Sequence, residues 1–296
     1  SESELWPNTL DEVAARGIPA FLVNARMSDR AYRGWARWPR TARAVLSAFR
    51  AVVAQSAEDA RRFAVLGARD VVAAGNLKLA SDALPGDPHA VAQLTAAIGP
   101  RPRWLASSIH PGEDALVARV HEALARTFPD LLTLVVPRHP PKAEAMVHVF
   151  ATAGLSVARR SLGEPIQPHT RVYLGDTVGE LGVFYRACDL VVMGKSFAVG
   201  GGQNPAEPAK LGCAVVCGPD MSNFRELTAD LTAGEALTVV QDEAALIARL
   251  AELLADPAAR RRQGDNGTRF MAAGAAALTE TLALLEPVLT NPLDCR

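Results

Sequence analysis

Cysteine is scarce in this chain of 296 residues: Cys188, Cys213, Cys217 and Cys295 are the only four, and no two form a CxxC pair. A disulfide scaffold or zinc ribbon is not expected, and a reducing compartment fits. The six histidines share no ligand spacing, so neither a catalytic metal nor a resident cofactor is expected. Net charge is nearly absent at −1, which removes the electrostatic footprint of a nucleic-acid-binding protein. Long apolar runs are missing as well. Leu131–Pro137 falls far short of the ~20 residues of a spanning helix, and no signal-peptide pattern stands out. Neither a Walker A motif nor G-x-G-x-x-G occurs, which disfavours a P-loop kinase or an NAD enzyme.

What is present is a globular composition, 49% hydrophobic and 21% charged, on a chain long enough for roughly two domains of ~100–200 residues each. Short β-rich runs alternate with helical patterns almost throughout. Ile18–Val23, Ala51–Ala54, Val71–Ala74, Arg103–Ala106, Leu132–Val136, Arg171–Leu174, Leu190–Met193, Ala214–Cys217 and Ala236–Val240 read as strands, with another near Val157. Continuously apolar strands between helices imply parallel sheets covered on both faces, hence an α/β protein. Ser81–Pro88, with two prolines and a glycine, is the expected linker. Two lobes with a cleft at the carboxyl ends of their strands follow. The opening Ser1–Pro7 reads as the exit of a strand whose body lies upstream, so the first domain is expected to be incomplete.

The densest chemistry lies in Met193–Glu207, between a strand and a helix. Gly200, Gly201 and Gly202 would let backbone amides approach an anion, with Asn204 as N-cap, Pro205 at N1 and Glu207 at N3. Such a helix start suits a phosphate, and Ser196 is a further phosphate donor. Glu207 fits a ribose diol better than a phosphate. The plain alternative is a capping box with glycines for the turn. Arg138 and His139 follow a strand, where a guanidinium could pair with carboxylate or phosphate. Ser107, Ser108 and His110 follow another strand and open a helix, as cap or as ligand contacts. Asp176 and Glu180 read mainly as helix-capping residues.

Near the front, Glu2 and Glu4 precede Trp6-Pro7 at a strand end, where one carboxylate, preferably Glu2, would face an acceptor hydroxyl. Asn24 and Arg26 lie just past a strand and are candidate acceptor contacts. Between Arg26 and Arg50 seven arginines face one acid, Asp29, interleaved with Tyr32, Trp35 and Trp38. That pattern suits an anionic membrane face, or is simply a solvated charged surface.

The stretches ESELWPN (Glu2–Asn8), NARMS (Asn24–Ser28), GNLK (Gly75–Lys78), ASSIHPGE (Ala106–Glu113), VPRHP (Val136–Pro140), GDT (Gly175–Thr177) and GGGQNPAEP (Gly200–Pro208), then Gly218-Pro219, carry a resemblance. The chain resembles the 3-deoxy-D-manno-octulosonic acid (Kdo) transferases of lipopolysaccharide synthesis. The resemblance implies a GT-B fold, two Rossmann-like domains facing across a cleft. Residues 1–80 would be the later part of the acceptor-binding domain, and 81–296 the CMP-Kdo-binding domain with its C-terminal helices. It implies metal-independent, inverting transfer of Kdo from CMP-Kdo, a co-substrate, to a lipid A precursor at the cytoplasmic face of the inner membrane. The catalytic base would be an early glutamate upstream of Ser1, supported by Glu2, and Gln203 stands where the family often has His. Another GT-B enzyme using a UDP-sugar, transferase or epimerase, and a non-catalytic nucleotide-binding fragment are the competing readings.

Overall fold

The computed structural model describes residues 7–80, 82–197 and 200–290. These form two compact units: residues 1–81 with 271–296, and residues 82–270. The C-terminal end, grouped with the second domain in the sequence reading, therefore belongs to the first unit.

In the first unit α1 (Pro7–Ala15) leads into β1 (Ala20–Ala25), followed by α2 (Asp29–Ala36) and α3 (Pro39–Leu46). Then come β2 (Phe49–Ala54), α4 (Ala57–Val65) and β3 (Val71–Ala73). The strands pair in parallel in the order β1-β2-β3. Two of the three crossover helices start where a side chain serves an orphan amide: Ser28 accepts from Ala31 N–H at α2 and Ser56 from Asp59 N–H at α4, while α3 opens on Pro39 with no side-chain cap. Phe49, Val52, Phe63, Leu46 and Leu66 build the core on one side of the sheet. Ala277, from the unit's C-terminal segment, packs with Val53 and Ala74.

The second unit begins with α5 (Pro88–Ile98), which the linker assignment overlooked. Asp87 caps it, accepting from His89 and Ala90, and Pro88 sits at its first turn, where a missing N–H costs nothing. The preceding segment is packed rather than free. A Cβ on Gly182 would lie 2.0 Å from the Pro85 carbonyl oxygen.

Then follow β4 (Arg103–Ile109), α6 (Asp114–Ala125), β5 (Leu132–Pro137), α7 (Ala143–Thr152), β6 (Val157–Arg159) and β7 (Val172–Leu174). After them come α8 (Leu181–Ala187), β8 (Leu190–Met193), α9 (Ala206–Lys210), β9 (Ala214–Cys217), α10 (Arg225–Ala233), β10 (Leu237–Val239) and α11 (Glu243–Ala255). The last helix, α12 (Pro257–Thr290), runs from this unit into the first. All seven strands are parallel, in the order β10-β9-β8-β4-β5-β7-β6. Every residue of β5, β8 and β9 is buried, as helices on both faces require.

Candidate donor-binding site

The chain leaves β4 toward β5 on one side and later returns to β4's other side as β8. The carboxyl end of β4 is therefore the switch point of the sheet, where open α/β folds bind ligands. Backbone hydrogen bonds fix the strand ends there. Arg138 N–H donates to the Ile109 carbonyl at 2.9 Å, and Gly194 N–H to the Ser107 carbonyl at 2.7 Å. Ser108 and Lys195 both adopt left-handed backbone, φ 56° and 60°. A Cβ on Gly194 would lie 2.3 Å from the Ser108 carbonyl oxygen, so only glycine lets these two turns approach.

This juxtaposition collects His110, Arg138, His139, Gln203, Asn204 and Glu207. The His110 ring lies 3.0 Å, Nε2 to Nε2, from the Gln203 amide and meets the His139 ring edge-on at 5.6 Å between centroids. Burial pushes the His110 imidazole below its ordinary pKa. The Lys195, His139 and Arg138 charges add to that, against the opposing pull of Glu113. His110 is therefore a neutral ring at pH 7. Burial pushes the Glu207 carboxyl up, opposed by the Asn204 side chain and by the Arg138 and Lys210 charges. Asn204 Nδ2 faces Glu207 Oε1 at 3.4 Å while its Oδ1 accepts from Ala206 N–H at 3.1 Å. Helix α9 starts one residue later than expected, so Pro205, not Asn204, occupies the cap position.

The glycine bend differs from the expected open cradle. Gly200 N–H and Gly201 N–H both donate to Asp220 Oδ2, at 3.0 and 2.9 Å. Those amides, with Ser222, hold the Asp220 carboxyl well below the usual range. Gly202 N–H donates to the Lys195 carbonyl. A Cβ on Gly201 would lie 2.6 Å from the Asn223 side chain, and one on Gly202 2.3 Å from Met221 Sδ. The glycines are thus required by the 218–223 loop packed against them. Ser196 is wholly buried: its hydroxyl donates to the Met193 carbonyl at 2.6 Å and accepts from Gly218 N–H at 2.8 Å. It ties two loops together and presents no group to a ligand.

Two other serines are also inward. Ser107 is fully buried with its hydroxyl 2.7 Å from that of Tyr185, and Ser108 is 6% exposed. In the first unit Asn24 is buried, and its Oδ1 accepts from Leu77 N–H at 3.0 Å, holding the turn after β3. Arg26, just past β1, is exposed. Glu2 and Glu4 lie outside the described residues.

The 175–180 turn is tied to the 159–161 segment. Burial pushes the Asp176 carboxyl up, but Ser161 hydroxyl and amide and the Arg159 guanidinium outweigh it and hold the group low. Arg160 pairs with Glu180 and depresses its carboxyl in turn. Neither acid is the helix cap expected: α8 begins only at Leu181, Glu180 at its cap position makes no side-chain capping bond, and both carboxylates serve instead as partners of Arg159 and Arg160. Two residues that sequence reasoning passed over organise the site: Asp220, which directly follows the Gly218-Pro219 landmark, and Glu113, the last residue of ASSIHPGE. Glu113 Oε2 accepts from His110 N–H at 3.0 Å and Lys195 N–H at 2.7 Å. Among the described residues no group of three or more His, Cys, Asp or Glu side chains could hold a metal ion. No described helix is long and apolar enough to cross a membrane.

The sequence model of the "3-Deoxy-D-manno-octulosonic-acid transferase (kdotransferase)" family matches residues 1–81, and that of "Glycosyl transferases group 1" matches 149–270. The chain is 38% identical over 293 residues to the 3-deoxy-D-manno-octulosonic acid transferase of Bordetella pertussis, covering 96% of this chain and 67% of that protein. The enzyme of the same name from Haemophilus influenzae is 32% identical over 294 residues, covering 97% and 68%. Among solved structures, the C-terminal CMP-Kdo binding domain of WaaA from Acinetobacter baumannii superposes with a TM-score of 0.59 at 25% identity, over 62% of this chain and 99% of that one. UDP-GlcNAc 2-epimerase from Neisseria meningitidis, 13% identical with a TM-score of 0.54 over 94% of this chain and 72% of that one, shares the fold alone. Two Rossmann-like units of parallel sheet, GT-B in type, and sequence similarity that spans nearly the whole chain agree: the chain belongs to the 3-deoxy-D-manno-octulosonic acid transferase family of glycosyltransferases.

Proposed function

We propose that the chain transfers Kdo from CMP-Kdo to a lipid A precursor, with inversion and without a metal. The observation that carries this reading is Glu207: a half-buried carboxylate under the influence of Arg138 at the switch point, beside the His110–Gln203 pair. A carboxylate there accepts hydrogen bonds from a ribose diol. Arg138 meets the phosphate or the sugar carboxylate as a charge-assisted pair, and neutral His110 and exposed His139 supply further polar contacts. With Gly200, Gly201 and Ser196 engaged within the protein, the phosphate's partners move to Arg138, His110 and Asn204.

In the transfer step the acceptor hydroxyl oxygen attacks the anomeric carbon while the bond from that carbon to the phosphate oxygen breaks. CMP departs with the bonding pair, and the hydroxyl proton passes to a carboxylate base that Glu2 supports. Charge grows on the departing phosphate, where a fixed guanidinium is most effective.

Docking at the cytoplasmic face of the inner membrane is supported by α2 and α3. Arg30, Arg33, Arg37 and Arg40 are exposed there, and Trp38 is 70% exposed. The test is CMP release from CMP-Kdo with a lipid A precursor, measured on the gene's full product, together with calorimetry of CMP. Turnover with CMP-Kdo and none with UDP-sugars is the expected result. Absence of both CMP binding and turnover overturns the reading.

A further inference from the structure

We propose that Glu113 is the positioning residue of the donor site, holding its two facing turns in register through their backbones. The residue is 3% exposed at the start of α6, yet its carboxyl group does not serve that helix: no side-chain capping bond is made there. Instead Oε2 receives both His110 N–H, from the turn after β4, and Lys195 N–H, from the turn after β8. These two turns flank the switch point. A non-glycine residue in left-handed backbone accompanies each, Ser108 in the last residues of β4 and Lys195 in the turn after β8, a conformation that persists only where the surroundings over-determine it.

The other oxygen, Oε1, is buried without a hydrogen-bond partner among the described residues. Glu113 also lines a narrow cavity whose other walls are mainly apolar side chains, among them Val117, Val192 and Leu246. An apolar residue in that place would avoid a half-satisfied buried carboxyl. The group's evident service is therefore geometric. By holding the His110 amide it orients the ring that meets Gln203. By holding Lys195 it fixes the carbonyl that Gly202 N–H uses, and so the bend leading to Asn204 and Glu207. Glu113 touches no ligand in this role and acts through the residues it holds.

The role rests on the proposed CMP site, so the test separates the two. CMP affinity is measured by calorimetry, with melting temperature and the amide proton shifts of His110 and Lys195, for wild type, Glu113→Gln, Glu113→Ala and Val117→Ala. The last variant truncates another wall of the same cavity as a stability control. Glu113→Ala is expected to bind CMP about 10-fold more weakly, about 1.4 kcal/mol, and to lose the downfield shift of both amides. Glu113→Gln keeps an acceptor oxygen and should be rescued to within about 3-fold. Val117→Ala should lose stability and keep its affinity. If Glu113→Ala does not fold, the Gln variant carries the test through its amide shifts and a weakening between about 2- and 3-fold. A Glu113→Ala protein that binds CMP as wild type does, a Glu113→Gln protein that does so with unchanged amide shifts where the Ala variant does not fold, or a Val117→Ala protein that loses as much affinity overturns the role of Glu113 alone. A wild type that does not bind CMP overturns the donor-site reading and this role with it.

Discussion

Replacing Gly201 by alanine separates two accounts of the glycine bend. If the glycines serve only to let a phosphate come close, an added methyl group weakens ligand binding and leaves the unliganded protein untouched. The contacts around Gly201 point the other way. Its φ is 83°, and an added Cβ would lie 2.6 Å from the Asn223 side chain, whose Nδ2–H donates to the Gly200 carbonyl at 3.0 Å. Left-handed backbone costs an alanine ~1–2 kcal/mol. Asn223 is exposed and can swing away, which forfeits one hydrogen bond, ~0.5–1.5 kcal/mol. Reduced freedom of the unfolded chain returns ~0.4–1 kcal/mol. The net loss is about 2 kcal/mol, a fall in Tm of roughly 4–8 °C for a unit of this size. The assay is a thermal melt without ligand, followed by CMP calorimetry below the transition. An unchanged Tm with weakened CMP binding would refute the packing account and restore the open cradle.

Ser196→Ala leaves the buried Gly218 N–H without its acceptor and should cost ~1–3 kcal/mol, read as a lower urea midpoint; an unchanged midpoint contradicts the loop-tying role. Glu207 has a raised folded pKa, so its ionisation opposes folding. Its contribution to stability improves as pH falls through that pKa and is least favourable above it. Glu207→Gln should therefore raise the Tm at pH 7 while weakening CMP by about 10-fold or more, the worth of a hydrogen bond to a charged group at ~1.5–3 kcal/mol. Both affinities should fall on acidification as the CMP phosphate gains a proton, and that of the wild type more steeply because it also loses a carboxylate; parallel pH profiles would exclude Glu207 as the titrating contact. The double variant Arg37→Ala, Arg40→Ala should bind anionic vesicles about 30-fold more weakly at ~1 kcal/mol per arginine, with no change on zwitterionic ones, as read by vesicle sedimentation.

The pattern of residues along the chain already set the α/β class and the place of the ten strands among the described residues. Runs such as Leu132–Val136 and Ala214–Cys217 are apolar without alternation, because a parallel strand is covered on both faces. It also determined which strand ends carry polar groups: His110, Arg138, His139 and Glu207 are where strand-to-helix turns were expected. Helix α5 was legible too, in Asp87-Pro88, but its prolines were read as linker although proline is at home in a first helical turn.

What the turn residues do was settled by contacts between distant segments. Asp220 takes the Gly200 and Gly201 amides from 20 and 19 residues away, and Glu113 reaches Lys195 across 82. Spacing along the chain records short-range geometry such as caps and turns. It does not record which distant donor a buried oxygen will satisfy, because that choice is made when the strands are brought side by side and every buried polar group must find a partner among those present. Ser196, Ser107 and Asn24 share the residue types of ligand contacts and turned inward for this reason.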